Sequence, residues 1–229
     1  TAVEDSVGIV VAGEEGDDYV SRGAHKLAGA LDVFARADAP GRGPAVEGVR
    51  CLDAGASTGG FTDVLLRRGA ATVVAVDVGY GQLDWRLRSD PRVVVLDRTN
   101  VRSLTPEQIS GVVDLTVADL SFISLRLVLD ALTACTRDDG DLMLMVKPQF
   151  EVGKQNLGAG GVVRDPALRR SAVRGVAHAA QVLGWGTAGV TASPLPGPSG
   201  NVEYFVWLRR DASGLDEDDL QRAIDEGPT

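Results

Sequence analysis

The chain has 229 residues and a formal net charge of −9, with 44% hydrophobic and 24% charged residues, two cysteines and two histidines. That length suits one α/β domain with appendages and is long enough to bury a proper core. No run of 18 or more apolar residues occurs, so no membrane helix is expected, and with two histidines and no Cys/His cluster no structural metal is expected.

The acidity is confined to the ends. Residues 1–18 hold six acids (Glu4, Asp5, Glu14, Glu15, Asp17, Asp18) and no base, and residues 211–229 hold seven acids and one base, Arg222. Between them 22 Lys and Arg face 19 Asp and Glu, so the middle is mildly basic and can present a phosphate-binding face. Cys51 and Cys135 form no C-x-x-C pair, which fits a reduced, cytoplasmic setting. No apolar stripe demands a second copy, so a monomer is expected.

Residues 1–20 alternate weakly and then become acidic, as a strand and linker trailing from an upstream unit. From Ser21 the pattern turns helical, with Leu27, Ala30, Leu31 and Phe34 on one stripe. Ala39–Gly48 is a Pro/Gly loop. A buried strand, Arg50–Ala54, then runs into a turn of small residues and a helix from Phe61, with Gly69 placed to stop it. Further strands are expected at Thr72–Val76, Arg92–Leu96, Val112–Ala118, Leu142–Val146, Thr187–Ala192 and Val202–Leu208. Helices are expected at Gln82–Ser89, at a turn over Pro106–Ile109 capped by Thr105, at Phe122–Cys135 capped by Ser121, and at Ala167–Leu183. Residues 149–165 form a long glycine-rich loop, a length that is usually functional or mobile. The last 19 residues read as a partly helical, frayed tail.

Strands alternating with helices predict a parallel doubly wound sheet. The last two strands are joined without a helix, so the seventh must run antiparallel to its neighbours. In such a sheet, ligands bind beyond the carboxyl ends of the strands. Asp53, Asp77, Asp97, Asp119 and Lys147 all fall there. The antiparallel strand brings Glu203 to the same edge, and Lys26 on the first helix can arrive from the side.

The turn after the first strand reads Asp53-Ala54-Gly55-Ala56-Ser57-Thr58-Gly59-Gly60. It lacks the dinucleotide spacing G-x-G-x-x-G. It resembles the first motif of S-adenosylmethionine-dependent methyltransferases. Small residues let the backbone approach a ligand, and the next helix points its free N–H groups into the same turn. Asp77, ending the second strand, can accept bonds from ribose hydroxyls.

Five segments together carry a closer resemblance: Ser21-Arg22-Gly23-Ala24-His25-Lys26-Leu27, Asp53–Gly60, Ala118-Asp119-Leu120-Ser121, Val146-Lys147-Pro148-Gln149-Phe150-Glu151 and Gly200-Asn201-Val202-Glu203-Tyr204-Phe205. They resemble the TlyA, or hemolysin A, family of FtsJ-like ribose 2′-O-methyltransferases over about residues 1–211. The resemblance implies a Rossmann-like class I methyltransferase fold: a seven-stranded, mostly parallel sheet with an antiparallel last strand and helices on both faces. It implies S-adenosyl-L-methionine as cofactor and cytidine 2′-hydroxyls of 16S, and in some members 23S, rRNA as substrate. It implies a Lys-Asp-Lys-Glu tetrad at Lys26, Asp119, Lys147 and Glu203. It implies cofactor contacts from Asp53, Gly55, Ala56, Ser57, Thr58, Gly59, Gly60, Asp77 and Asp119, with Asp97, Arg98 and Asn100 near the adenine. It also implies an S4-type RNA-binding domain, of which residues 1–20 hold only the tail and linker, ahead of a methyltransferase domain at 21–211 and an acidic tail at 212–229.

A ribose hydroxyl must lose its proton as the methyl arrives, and a lysine can take that proton only if its own pKa falls. Lys147 is the expected acceptor and Asp119 its orienter. Arg22 and Lys154 flank the site and are expected on RNA phosphates. Arg169 and Arg170, on the exposed side of a helix with Arg174, are weaker candidates for the same role. A pore-forming reading finds no membrane span, barrel pattern or basic amphipathic helix. A non-catalytic RNA-docking module is the other alternative, and retention of all four tetrad residues opposes it.

Overall fold

The computed structural model describes residues 18–36 and 43–228. The expected S4-like tail lies almost wholly outside the described residues, as does part of the 39–48 loop.

Seven strands form one sheet: β1 Arg50–Ala54, β2 Thr72–Val76, β3 Val93–Leu96, β4 Val113–Ala118, β5 Thr136–Val146, β6 Gly186–Ala192 and β7 Tyr204–Arg209. Their order is β3-β2-β1-β4-β5-β7-β6. The pairs among β1 to β5 are parallel, and β7 is inserted antiparallel between β5 and β6. This is the expected Rossmann-like methyltransferase sheet with its reversed last strand. The order turns back between β1 and β4, and a ligand crevice belongs at that switch point.

Alternate residues feed two cores. Leu52, Val74 and Leu144 face one, packed by α4 Leu129–Cys135, α6 Pro166–Val182 and α7 Glu217–Asp225. Cys51, Val73 and Met143 face the other, packed by α1 Gly23–Phe34 and α2 Gly60–Arg67. The stripe Leu27, Ala30, Leu31, Phe34 is buried as its spacing requires. Gly69, at φ 85°, ends α2, and the next amide, Ala70 N–H, donates back to the Leu65 carbonyl.

Four elements differ from expectation. The segment 122–135 is not one helix: a 3₁₀ turn, Leu125–Leu127, precedes α4, and Ser124 rather than Ser121 caps it by accepting from the Arg126 N–H. Pro106–Ile109 forms turns only. β5 begins six residues early, because Thr136 already pairs with Val113 ahead of a register shift. The C-terminal segment is a docked helix, not a frayed end. Asp216 caps α7 by accepting from the Asp218 and Asp219 N–H groups, and Leu220, Ala223 and Ile224 are buried. Three apolar side chains at i, i+3 and i+4 suffice to seat nine residues whose remaining surface is acidic.

The glycine-rich loop is more ordered than its composition suggests. It holds a short helix, α5 Pro148–Glu151, and 3₁₀ turns at Lys154–Asn156 and Ala159–Gly161. Buried Asn201 ties it down, its Oδ1 accepting from the Val163 N–H (2.9 Å) and its Nδ2 donating to the Gly161 carbonyl (3.1 Å).

Candidate active site

The turn after β1 needs its glycines. Gly55 has φ 87°, and a side chain there would meet the Asp119 carbonyl at 2.6 Å. At Gly60 a Cβ would sit 2.3 Å from Ser21 Oγ and 2.9 Å from the Ala24 nitrogen, so α1 and α2 close together only over a bare backbone. Ser57 is held at φ 49°, an uncommon conformation for a side-chain-bearing residue. Its N–H donates to Asp77 Oδ2 (2.9 Å), while Asp77 Oδ1 accepts from the Gly79 N–H (2.7 Å). The acid at the end of β2 therefore shapes the glycine turn, and each of its oxygens keeps a lone pair for a ribose hydroxyl.

Asp53 is fully buried. Its Oδ2 accepts from Thr62 Oγ1 (2.7 Å), and its Oδ1 has no partner among the described residues. Burial, against the opposing Thr62 bond and with help from the Asp119 and Asp77 charges, pushes its carboxyl up to about 7.

Two lysine–carboxylate pairs stand beyond the strand ends. Lys147 Nζ lies 2.6 Å from Asp119 Oδ1 and donates to Ser121 Oγ at 2.9 Å. Lys26 Nζ lies 2.6 Å from Glu203 Oε2, with both side chains almost out of solvent. The expected neighbourhood of Glu203 and Lys147 holds, since Val146 pairs with Tyr204, but each amine has its own carboxylate. Gly197 makes the second pair possible, because a Cβ there would press on Glu203 Oε1 at 2.6 Å.

Two clefts meet at these pairs. One, of about 290 Å³, is lined by Gly55, Ala56, Ser57 and Thr58 together with Arg22, Lys26, Asp119, Ser121 and Lys147. The other, of about 550 Å³, is lined by Phe122, Gln149, Phe150, Lys154 and Glu203, again with Ser121 and Lys147. Phe122 is 92% exposed at φ 64°, its ring 5.4 Å from that of Phe150. A bulky residue in the left-handed region is a genuine outlier, and this one holds an aromatic face open beside Lys147. Glu151 locks the two loops that carry these rings. Its carboxylate accepts from Ser124 Oγ (2.6 Å), the Leu125 N–H (2.7 Å) and Arg126 Nε (3.1 Å).

The remaining expected residues are scattered. Asp97 pairs with Arg88 (3.0 Å), Arg98 stacks on Tyr80 (4.3 Å) at φ 54°, and Asn100 accepts from the Arg102 N–H. All three follow β3, next to Asp77, whose carbonyl accepts from the Thr99 N–H, and none lines either cleft. Arg22 and Lys154 line the first and second cleft respectively. Arg169 Nε donates to the Val163 carbonyl (2.9 Å). Arg170 bonds Gln221, and Arg174 pairs with Glu217 (2.6 Å). The motif reading missed Ser121, which it assigned to a helix cap, and the Phe122–Phe150 pair. The ladder could have suggested Ser121: it lies two residues past Asp119 on the loop facing Lys147.

A parallel sheet with its last strand reversed, a glycine turn under an acid-tipped strand, and two lysines at the switch point define an S-adenosylmethionine-dependent methyltransferase. The sequence model of the FtsJ-like methyltransferase family matches residues 19–210, and the chain belongs to that family. The 16S/23S rRNA (cytidine-2′-O)-methyltransferase TlyA of Mycobacterium tuberculosis is 62% identical over 100% of this chain and 84% of its own length. Hemolysin A of Brachyspira hyodysenteriae is 36% identical over 82% of this chain and 75% of its own. The structure of a candidate hemolysin from Streptococcus thermophilus superposes with a TM-score of 0.83 at 38% identity, covering 93% of this chain and 77% of that one. A fibrillarin from Aeropyrum pernix with bound S-adenosyl-L-methionine shares the fold alone, with a TM-score of 0.54 at 15% identity over 81% of this chain and 75% of that one.

The residues present fit that cofactor. The first cleft has a floor of small residues, and Asp53, at the end of the strand that leads into it, keeps an Oδ1 with no partner among the described residues. Among the described residues no group of three or more metal-ligating side chains occurs, and no helix is long and apolar enough to cross a membrane.

Proposed function

We propose that the chain methylates the 2′-hydroxyl of a cytidine in ribosomal RNA, of one or both subunits. The supporting observation is the Lys147 amine, placed by Asp119 and Ser121 where the two clefts meet. The 62% identity to a methyltransferase named for this reaction supports the substrate.

The cofactor, held by the glycine turn with Asp77 toward its ribose, supplies an electrophilic methyl group on a positively charged sulfur. With its amine in the neutral form, Lys147 Nζ would take the proton from the 2′-oxygen as that oxygen accepts the methyl group that the cofactor's sulfur releases. Asp119, 2.6 Å away, offsets the charge that develops on Lys147. Lys26, fixed by Glu203, adds positive charge to the same cleft, where it attracts phosphate and steadies the oxygen as it loses its proton. Alignment of the hydroxyl with the methyl is the larger part of the task. The second cleft fits the base: the 2′-carbon and the glycosidic carbon are adjacent, and the exposed Phe122 face offers stacking. Arg22 and Lys154 flank the path as phosphate contacts. An S4-type domain upstream of residue 18 would supply the remaining RNA affinity.

The test is methylation of ribosomal subunits with isotopically labelled cofactor, followed by nucleoside mass spectrometry. Label in 2′-O-methylcytidine, abolished by Lys147→Ala, is the expected result. Label on a base, or transfer that survives in Lys147→Ala, refutes the reading.

A further inference from the structure

Gln149 is a polar side chain of the second cleft that the reaction described above does not use. It lines the cleft beside Ser121, Phe122, Lys147, Phe150 and Glu203. Its carboxamide oxygen is shut off from water and accepts no hydrogen bond among the described residues. A buried amide oxygen left unpaired destabilises the fold, and such groups persist where something outside the chain completes them. Its chain neighbours narrow what that is. Lys147 stands two residues earlier and Phe150, its ring tilted against that of Phe122, one residue later. One turn of chain thus carries a proton acceptor, an amide and an aromatic face into one cavity.

We propose that the Gln149 carboxamide hydrogen-bonds the Watson–Crick edge of the target pyrimidine. This rests on the ribose-methylation reading above. With the 2′-oxygen at Lys147, the base on the adjacent carbon falls in the second cleft. Cytosine presents an N4–H donor next to its N3 acceptor, and a carboxamide presents an acceptor next to a donor, so two bonds form side by side. Rotation about the last torsion of the side chain brings the buried oxygen into the pair. The same rotation reversed serves uracil, so the contact holds a pyrimidine in place without excluding uracil by itself.

The test uses Gln149→Leu and, as a second apolar variant of equal length, Gln149→Met. Three quantities are measured: thermal midpoint, cofactor affinity by calorimetry, and kcat/KM for forming 2′-O-methylcytidine in ribosomal subunits. The expected result is a 10- to 100-fold fall in kcat/KM with cofactor affinity within about twofold of the unsubstituted protein. The thermal midpoint stays or rises by about 2–4 °C, because the unpaired oxygen is gone. A role confined to holding the loop would lower the midpoint together with activity, and that outcome overturns the proposal. So does a kcat/KM within twofold of the unsubstituted protein. Absence of 2′-O-methylcytidine from the unsubstituted protein's product overturns the ribose-methylation reading instead, and this proposal falls with it.

Discussion

Replacing Glu203 by Ala leaves the Lys26 ammonium buried without its counter-charge. The two side chains are 9% and 1% exposed and their charged atoms 2.6 Å apart, so water cannot take over the role of the lost carboxylate. Breaking a buried pair on one side costs about 3–5 kcal/mol. For a chain of this size each kcal/mol moves the thermal midpoint by about 2–4 °C, so the midpoint should fall by roughly 6–20 °C. Replacing both partners with apolar side chains of similar length, Lys26→Met with Glu203→Met, removes the orphaned charge as well as the pair. That double variant should recover most of the lost stability. It should recover no methyl transfer, because the cleft has lost the cation the reaction uses. The assay is thermal denaturation of Glu203→Ala and of the double variant, beside methylation of ribosomal subunits. A double variant as unstable as Glu203→Ala would refute the claim that burial, and not a particular hydrogen bond, governs the pair. A double variant that is stable and fully active would remove the pair from the mechanism.

Ser121→Ala takes one of two partners from the Lys147 amine and should lower kcat by about 10- to 100-fold with cofactor affinity unchanged, and Ser121→Thr should restore part of it; equal losses in kcat and in cofactor binding would contradict a positioning role. Asp77→Ala should weaken cofactor binding, since it also frees Ser57 from the turn, whereas Lys147→Ala should spare binding and abolish transfer. Calorimetry on the two variants checks this, and equal loss of affinity in both refutes the division. Asp53, with its folded-state carboxyl raised from 3.8 to about 7, binds a proton that the unfolded chain has released over that interval. Its contribution is fully present below pH 3.8 and is lost as the pH rises through 7, an effect on the order of 4 kcal/mol between the extremes. Denaturant titrations of the unsubstituted protein and Asp53→Asn across pH 4.5–8 should diverge, with the unsubstituted protein losing ground toward alkaline pH; parallel curves would show that burial does not hold the proton.

The fold was largely legible in the linear chain. Short continuous apolar runs bounded by turn residues mark strands, and the stripe Leu27, Ala30, Leu31, Phe34 marks a helix. The short connection before Tyr204 requires a reversed strand. These are local facts, and each follows from the backbone's own repeat. The glycine turn and its acids were equally readable, because a ligand at a strand end needs small residues and open N–H groups at a set spacing.

Segments whose fate depends on distant partners were not readable. An acidic stretch at the end of a chain resembles a frayed tail until Leu220, Ala223 and Ile224 find the sheet. A run from Phe122 to Cys135 looks like one helix until Glu151 captures the Leu125 N–H and Ser124 takes the cap. The order of the four tetrad residues along the chain, and Asp119 as the partner of Lys147, could be read from motifs, but not that Lys26 meets Glu203. That pairing comes from β7 lying beside β5 and α1 crossing the glycine turn, contacts 177 residues apart for Lys26 and Glu203. The arginines of α6 show the same limit: an exposed helical face is a matter of spacing, but the carbonyl and carboxylate that claim Arg169 and Arg174 are brought there by packing. Sequence alone determined the sheet, the glycine turn and the chemistry available at its edge, because each depends on neighbours a few residues away. Tertiary structure alone decided the pairing of Lys26 with Glu203 and the second cleft, because those depend on which elements the packed sheet brings face to face.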